Sequence, residues 1–597
     1  MIFTSKLIIY QNSPVKPVLR NRSLPAMKLS FFPVRALHLP FIMMIAAAML
    51  FSSCIRHSHD VIINRAMIYD GTGGEPFEGG IAVSDGRITH VGELPDDISA
   101  RIQIDADGLA ASPGFINMLS WADRPLLRDG RSMSNIKQGV TLEVMGEGTS
   151  MGPINEQMGS SRERRTGQRY PWTTLGGFLD HLEKQGVSTN IASFVGATTV
   201  RIYVLGRDNI APDPEQLQQM KDLVREAMEQ GAMGISTALI YTPAFYADTE
   251  ELIALSSVAS EYGGLYATHL RSEGNRFLEA IEEMLEIADK ADIAVHIHHL
   301  KAAGAENWHK MDEAIDRVER AQRDGYRVSA NMYLYTAAST GLTAVVPPWA
   351  REGGREAMIE RFRDPELRKK IIAEMEMRDA GWENFMQMVS TYDDIILTGF
   401  RSDELRPYAG KTLGDMIRMR EMGPAETVIT LIEEDNSAIS AVYHLMTEDN
   451  LEKQIQLPWM TFGSDGGSVA AEGDYLRNMP HPRAYGNFAR LLGRYVRDME
   501  LIPLEEAIHR LTGLSASVLG IDHERGYLSE GYHADIVLFN LDEIHDYSAY
   551  GDPHHYSTGV HHVFVNGVQV LKEGRHTGAK PGRVVRGPGW KGHQPAL

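Results

Sequence analysis

Titratable side chains follow several short apolar segments that the sequence predicts to be β-strands. The set comprises two carboxylates, two histidines and a tyrosine: Glu147, Tyr241, His269, His299 and Asp465. In a fold of parallel strands the chemistry lies where the strands end, so we expect these side chains to meet at one rim. Two histidines beside two carboxylates can hold a metal ion and supply a base. The sequence therefore predicts metal-assisted chemistry at this rim.

Two of these residues have neighbours that favour a chemical role. Strand alternation places His299 on the interior face, together with apolar residues two and four positions earlier. His296 and His298 are then expected to pack beneath helices, although a register shift of one residue would exchange these roles. Asp465 lies in the segment 463–467 (GSDGG), whose glycines let the backbone pass close to a substrate. The segment could be only a turn, but its place at the end of a strand favours a catalytic carboxylate.

The segments that must position these residues alternate between short strands and amphipathic helices. This rhythm is typical of βα units around a parallel sheet. The predicted strands are 113–119, 140–146, 190–196, 232–239, 264–270, 293–300, 328–335 and 459–465. Helices are predicted between several of them, for example at 214–230 and 276–291. We therefore predict an α/β fold with a (β/α)8 barrel over residues 113–524.

Two further features complete the predicted architecture. The last two barrel strands are separated by more than 120 residues, which is too long for one loop and predicts a helical insertion at about 345–455. This insertion would emerge near the active site as a lid. Both ends of the chain have alternating strands, and Asp85-Gly86 predicts a hairpin turn. We expect residues 60–112 and 525–592 to form a small β-sandwich.

Composition limits the classes of function. The chain has 597 residues and a net charge of −20, which argues against nucleic acid as a partner, because a nucleic-acid binder needs a basic face. There is one cysteine, so an intrachain disulfide and a cysteine-based zinc cluster are both excluded. Any metal must be held by histidines and carboxylates.

The N-terminal segment predicts export. Residues 1–54 carry basic side chains and no acidic ones, and an apolar run at 41–51 has the length of a signal-peptide core. The run ends in Ser-Ser-Cys54, which resembles a bacterial lipobox, with Phe51 in place of the usual leucine. Residues 1–26 could be a start-site artefact, since Met27 is a more usual start. We predict a signal peptide over 1–54 and a lipid anchor at Cys54 as the only membrane contact, in the periplasm or on the outer membrane. An uncleaved anchor or an ordinary thiol is the alternative.

Eight short motifs occur in a fixed order along the chain. They are 113–116 (PGFI), 138–141 (QGVT), 266–274 (YATHLRSEG), 299–304 (HLKAAG), 333–340 (YLYTAAST), 463–466 (GSDG), 481–486 (HPRAYG) and 582–587 (GRVVRG). With these motifs the sequence resembles the N-acyl-D-amino-acid deacylases (D-aminoacylases) of the amidohydrolase superfamily. The resemblance extends over about residues 60–592, and it implies the barrel with its terminal β-sandwich.

Two departures from the family pattern concern the metal. The His-x-His of the family's first strand is replaced by Leu119-Ser-Trp121, and neither leucine nor tryptophan can bind a metal. The family's Asn-Cys-Gly is replaced by a shorter segment in which Glu147 stands where the cysteine would be. Glu147 could contact only its own loop, but a carboxylate is an acceptable zinc ligand. With His269 and His299, it implies a site for one divalent ion per chain, expected to be zinc.

The resemblance also implies an activity and a set of substrate contacts. It implies hydrolysis of the amide bond of N-acyl-D-amino acids or D-dipeptides, with metal-activated water and Asp465 as general acid and base. The residues that match substrate-facing family positions are Lys301, Arg483, Tyr241, Tyr333 and Ser339. Arg271 and Glu273 are expected to support the ligands and not to react. The alternatives are a dipeptidase or cyclic-amide hydrolase of the same superfamily and an inactive binding lipoprotein.

Overall fold

The computed structural model describes residues 58–95 and 97–592. The predicted leader, including the apolar run at 41–51 and Cys54, lies outside the described residues. Within the part of the chain that is described, no helix combines the length and the apolar character needed to cross a membrane.

Strands and helices alternate along most of the described chain. The strands are β1 His59–Ile68, β2 Phe77–Ser84, β3 Arg87–Gly92, β4 Ala100–Asp105, β5 Ala110–Pro113, β6 Phe115–Asn117, β7 Val140–Met145, β8 Asn190–Ser193, β9 Val195–Gly196, β10 Gly234–Ala238, β11 Leu265–His269, β12 Ala294–Ile297, β13 Val328–Met332, β14 Ala337–Gly341, β15 Ile395–Gly399, β16 Ser440–His444, β17 Met460–Phe462, β18 Ile536–Phe539, β19 Val560–Val565, β20 Val568–Lys572 and β21 Arg575–His576. The α-helices are Asp123–Arg128, Met133–Ile136, Glu156–Thr166, Leu175–Gln185, Ala197–Leu205, Pro214–Glu229, Thr249–Glu261, Phe277–Ala291, Lys310–Arg323, Pro348–Arg351, Arg355–Arg363, Pro365–Met375, Phe385–Met388, Leu413–Arg420, Pro424–Asp435, Glu448–Ile455, Arg483–Arg490, Leu504–Leu511 and Gly513–Leu519. A π-helix continues the chain over Leu491–Asp498.

The two ends of the chain combine in one sheet. Its strand order is β21-β20-β19-β18-β5-β1-β2-β3, with β4 beside β1, and β18 joins the two ends by pairing antiparallel with β5. The predicted hairpin is present, with Ser84 opposite Arg87. The prediction that both termini combine is therefore confirmed, but hydrogen bonding makes them one continuous sheet and not two separately bonded sheets.

Strand β18 connects this sheet to the rest of the protein. All four of its residues are buried. Ile536 and Leu538 pack among the N-terminal strands, whereas Val537 and Phe539 pack into the main core. The ring of Phe539 lies edge-on to Phe115, with centroids 6.3 Å apart. Alternate residues of β18 thus pack into two different cores. Both faces of the strand are buried, which explains why this segment has no polar face.

Parallel strands followed by helices form the centre of the molecule. One parallel sheet has the order β17-β13-β12-β11-β10-β9, and a second has the order β6-β7-β8. The predicted strand positions agree with these elements to within a few residues. The helix Pro214–Glu229 begins with Asp213 as its N-cap in a capping box and buries an apolar stripe against the sheet, which is the amphipathic pattern that its sequence predicts.

The insertion between β13 and β17 has its own core. Val345, Met358 and Leu431 belong to a buried apolar cluster separate from the main one. The predicted helices are present there, but the prediction omitted a three-stranded antiparallel sheet formed by β14, β16 and β15. Each of these strands is five residues long. Short apolar runs of this kind do not distinguish a strand from a buried helix segment, which explains the error.

Candidate metal centre and active site

Three strand ends bring Glu147, His269 and His299 together. Glu147 follows β7, His269 is the last residue of β11, and His299 comes two residues after β12. One carboxylate oxygen of Glu147, Oε1, lies 3.2 Å from His269 Nδ1 and 3.0 Å from His299 Nε2. All three residues are buried, and one potential ligand atom from each lies within 4.8 Å of the others.

This donor set fits a zinc ion. A carboxylate oxygen and two imidazole nitrogens are typical zinc ligands, and three protein ligands leave one coordination position open, as in catalytic zinc sites. The backbone of His299 has φ 37°, the left-handed region that non-glycine residues rarely adopt. Such strain at a site where side chains converge is typical of functional positions.

Glu273 contacts both histidines, and Lys301 contacts His299, at the ring nitrogens that do not face Glu147. Glu273 Oε1 lies 2.9 Å from His299 Nδ1, and Oε2 lies 3.5 Å from His269 Nε2. Lys301 Nζ donates to Glu273 at 2.5 Å and lies 2.7 Å from His299 Nδ1. Burial alone would raise the pKa of Glu273, but the charges of His269, Lys301 and His299 lower it well below its usual range. Burial and Lys301 lower the pKa of His299, yet Glu273 and Glu147 outweigh them and raise it to about 9.

His296 and His298 face away from the helices, on the side of the sheet that carries Ala267 and Phe194. His296 Nδ1 lies 2.8 Å from Ser329 Oγ, and the Asn331 amide donates to His296 and His298 at 2.9 and 3.1 Å. Burial lowers the pKa of both histidines, so both are neutral packing residues. The predicted faces are therefore wrong, because Val295 and Ile297 pack with helix residues such as Met284 and Met311. His299 reaches Glu147 because the strand ends at Ile297 and the backbone of His299 is left-handed.

Asp465 is held between two donors in the loop after β17. Its Oδ1 accepts a hydrogen bond from the indole N–H of Trp121 at 2.8 Å, and its Oδ2 pairs with Arg483 Nη2 at 2.7 Å. The side chains of Asp465 and Arg483 are 11% and 4% exposed, so the pair is nearly buried. The Asp465 backbone has φ 44° and donates to the Leu119 carbonyl oxygen at 2.9 Å. The carboxylate therefore has a defined orientation.

Arg483 retains unused donors. Its guanidinium carbon lies 4.3 Å from the centre of the Tyr333 ring. Among the described residues, its buried Nε and Nη1 have no hydrogen-bond partner. A buried guanidinium with free donors is suited to a ligand carboxylate, which Nη1 can bind through a charge-assisted hydrogen bond.

The remaining predicted contacts lie between the histidines and the insertion. The rings of Tyr241 and His269 are 5.5 Å apart, and those of Tyr333 and His299 are 6.4 Å apart. The Tyr241 hydroxyl donates to Thr340 Oγ1 at 2.8 Å, on the strand that also carries Ser339. Burial raises the pKa of Tyr241, so its hydroxyl stays neutral. The insertion thus reaches the edge of the site.

The sequence does not predict the hydrogen bond from Trp121 to Asp465. It predicts a supporting role for Arg271 but not its partner, Glu283. The sequence motif treats position 121 only as the loss of a metal ligand, although an indole N–H after a strand is a signal for a hydrogen-bond donor at the site. Arg271 turns away from the metal ligands and forms an ion pair with Glu283 at 2.8 Å. It positions the loop after β11 by donating to backbone carbonyl oxygens.

Comparisons with known proteins agree with this geometry. A sequence model described as the amidohydrolase family matches residues 103–571. N-acyl-D-aspartate deacylase of Alcaligenes xylosoxydans xylosoxydans is 32% identical over 531 residues, which cover 88% of this chain and 95% of that protein.

Two solved structures are similar over nearly their whole length. The N-acyl-D-glutamate deacylase of Bordetella bronchiseptica, complexed with zinc and a phosphonate inhibitor that mimics the tetrahedral intermediate, has a TM-score of 0.73 and 28% identity. It covers 88% of this chain and 99% of that one. A D-aminoacylase structure, described in terms of a binuclear metal centre with one-metal activation and second-metal attenuation, has a TM-score of 0.74 and 28% identity. It covers 88% of this chain and 100% of that one.

Proposed function

The chain belongs to the amidohydrolase family, and on that premise we propose that it is a zinc-dependent deacylase of N-acyl-D-amino acids. It is a D-aminoacylase-like hydrolase acting on C–N bonds. The observation that carries the proposal is the buried cluster of Glu147, His269 and His299. The oriented carboxylate of Asp465 follows β17, a strand of the same sheet as β11 and β12. The D configuration is supported by the activities of the relatives.

The proposed mechanism assigns Asp465 as general base and acid. A zinc ion held by Glu147, His269 and His299 would polarise the scissile carbonyl and acidify a water molecule. Asp465 takes a proton from the attacking water and returns it to the nitrogen of the leaving amine. Trp121 and Arg483 hold its carboxylate in one orientation, so little reorganisation is needed when the proton moves.

Arg483 is the proposed receptor for the substrate carboxylate. Its free Nη1 can bind a carboxylate while Nη2 stays near Asp465. Tyr333 lies under the guanidinium, and Tyr241 lies beside His269, so both can enclose the substrate. The remaining proposed substrate contacts are Lys301, through its amine beside Glu273, and Ser339, on the insertion strand β14.

We propose that the parallel strands close into a (β/α)8 barrel with the insertion as its lid. Only Phe194 separates β8 from β9. At the other edge, Met118 N donates to the Phe462 carbonyl oxygen at 3.2 Å, which links β6 to β17. The insertion is tied to the rim where Gly304 N donates to the Leu445 carbonyl oxygen at 2.8 Å. In this proposal residues 113–524 form the catalytic domain, and 60–112 with 525–592 form the terminal domain.

We also propose an exported, lipid-anchored protein. The support is the basic segment 1–54 with its apolar run and the single cysteine, Cys54. In the periplasm or on the outer membrane, a deacylase of this kind would meet D-amino-acid fragments of peptidoglycan.

A substrate panel tests the proposed activity. The zinc-loaded full-length protein is assayed with matched N-acetyl-D- and N-acetyl-L-amino acids, D-dipeptides and cyclic amides. We expect hydrolysis of the N-acyl-D compounds. Equal rates for D and L substrates would overturn the D-specific assignment, and preferred hydrolysis of dipeptides or cyclic amides would favour that alternative class. If the zinc-loaded protein hydrolyses none of the panel, the proposed function is wrong.

A further inference from the structure

Trp121 contacts Asp465 through its side chain and the same loop through its backbone. Trp121 N donates to the Gly466 carbonyl oxygen at 3.0 Å, and Ser120 forms a parallel bridge with Gly466. The indole N–H then reaches Asp465 Oδ1 at 2.8 Å. The backbone of Trp121 is therefore held in place, and its indole N–H donates to the carboxylate that the proposed mechanism uses.

The two donors to Asp465 differ in what they do when substrate arrives. Arg483 is also the proposed receptor for the substrate carboxylate, so its charge is shared between two anions in the complex. The indole of Trp121 is neutral and has one N–H, which is already used by Asp465. This contact does not compete with a substrate carboxylate, so it persists while Arg483 changes partners.

The position of Trp121 is also one where this chain departs from the family motif. A D-aminoacylase of similar structure is described as having a binuclear metal centre. Here Leu119 is 1% exposed and apolar, and Trp121 is 39% exposed and offers a hydrogen-bond donor in place of a metal ligand. Positions 119 and 121 thus offer no metal ligand, and the indole N–H of Trp121 can orient the Asp465 carboxylate instead.

We propose that Trp121 is a positioning residue that holds Asp465 in its proton-transfer orientation through the indole N–H. The proposal rests on the proposed function for its kinetic consequences. The geometric part, that the indole keeps the carboxylate in place, can be tested without turnover.

The test compares two replacements of Trp121 in the zinc-loaded full-length protein. Trp121→Phe removes the N–H and keeps a ring. Trp121→Gln restores an N–H at the same number of bonds from Cα. Because a hydrogen bond to a charged group contributes substantially, we expect Trp121→Phe to lower kcat by about 10- to 100-fold with KM and zinc content close to wild type. Trp121→Gln should recover a large part of kcat.

A matched control and a crystal structure make the result decisive. Trp590→Phe, at an exposed tryptophan near the C-terminal end, should leave kcat unchanged. In the crystal structure of the Trp121→Phe protein, we expect the Asp465 carboxylate to leave its present orientation. An unmoved carboxylate, a change in KM alone, or equal kcat for the Phe and Gln variants would overturn the proposal. Lack of activity in the wild type would refute the proposed function, and the position of Asp465 would still decide the inference.

Discussion

Replacing Asp465 by asparagine separates its proposed chemistry from its role in packing. An amide has nearly the same shape as a carboxylate, but it cannot accept the proton from water. A positioned general base contributes about 10²- to 10⁴-fold to rate, so we expect kcat of Asp465→Asn to fall by that factor. The zinc content should stay at one ion per chain, because Asp465 is not among the three clustered ligands.

The same substitution has a calculable structural cost. Asp465 accepts from Trp121 with one oxygen and from Arg483 with the other. Asparagine has a single side-chain oxygen, so one of these donors loses its acceptor. Trp121 is 39% exposed and can bind water instead, whereas Arg483 is buried. A buried donor left unpaired costs about 1–3 kcal/mol, which sets the upper limit of the expected loss of stability and of melting temperature.

A second buried pair provides the control. Arg525 and Asp535 form an ion pair beside the terminal sheet, and their side chains are 6% and 11% exposed, close to the values for Arg483 and Asp465. Asp535→Asn should lose comparable stability and keep full kcat. The assay measures kcat, zinc content and thermal unfolding of both variants. If Asp465→Asn keeps kcat within a few-fold of wild type while fully zinc-loaded, another group must be the base and the assignment is refuted.

Further predictions concern the metal, the pH dependence and the location. Glu147→Ala should lower zinc content measured by elemental analysis, because it removes one of three donors; full occupancy in this variant would rule it out as a ligand. Excess zinc should leave the wild-type activity unchanged, whereas the double variant Leu119→His, Trp121→His should bind a second ion per chain; a wild-type protein that holds two ions would contradict this. Burial and a neighbouring carboxylate charge raise the pKa of Glu383 from 4.5 to about 8. The folded state therefore keeps a proton that the unfolded chain loses in this range, so stability falls as pH rises between these values. Glu383→Gln should flatten that slope in thermal unfolding, and an unchanged slope would argue against it. Cys54→Ser should move the protein from the membrane to the soluble fraction of cells, and membrane association equal to wild type would disprove the anchor.

Local sequence patterns were sufficient to locate the parallel strands. The segments around β7, β11 and β12 are short, apolar and followed by turn residues or helices, so their positions agree with prediction. The hairpin at Asp85-Gly86 was predictable for the same reason, since an Asp-Gly pair adopts the left-handed backbone of a tight turn. The antiparallel sheet of the insertion was not predictable, because β14, β15 and β16 are far apart in sequence and each is too short to carry a clear period.

The sequence by itself determined which donors follow the strands, and the structure brings three of them, Glu147, His269 and His299, together. Alternation assigned the wrong faces to residues 295–298, and it could not place His299, because the strand ends at Ile297 and a left-handed backbone sets the direction of His299. Only the tertiary structure decided the partners of these groups. Trp121 and Asp465 are 344 residues apart, and the closing of strands β6 and β17 on each other creates their hydrogen bond. Such contacts depend on long-range packing and on left-handed backbone at single residues. Neither of these produces a periodic pattern in the sequence.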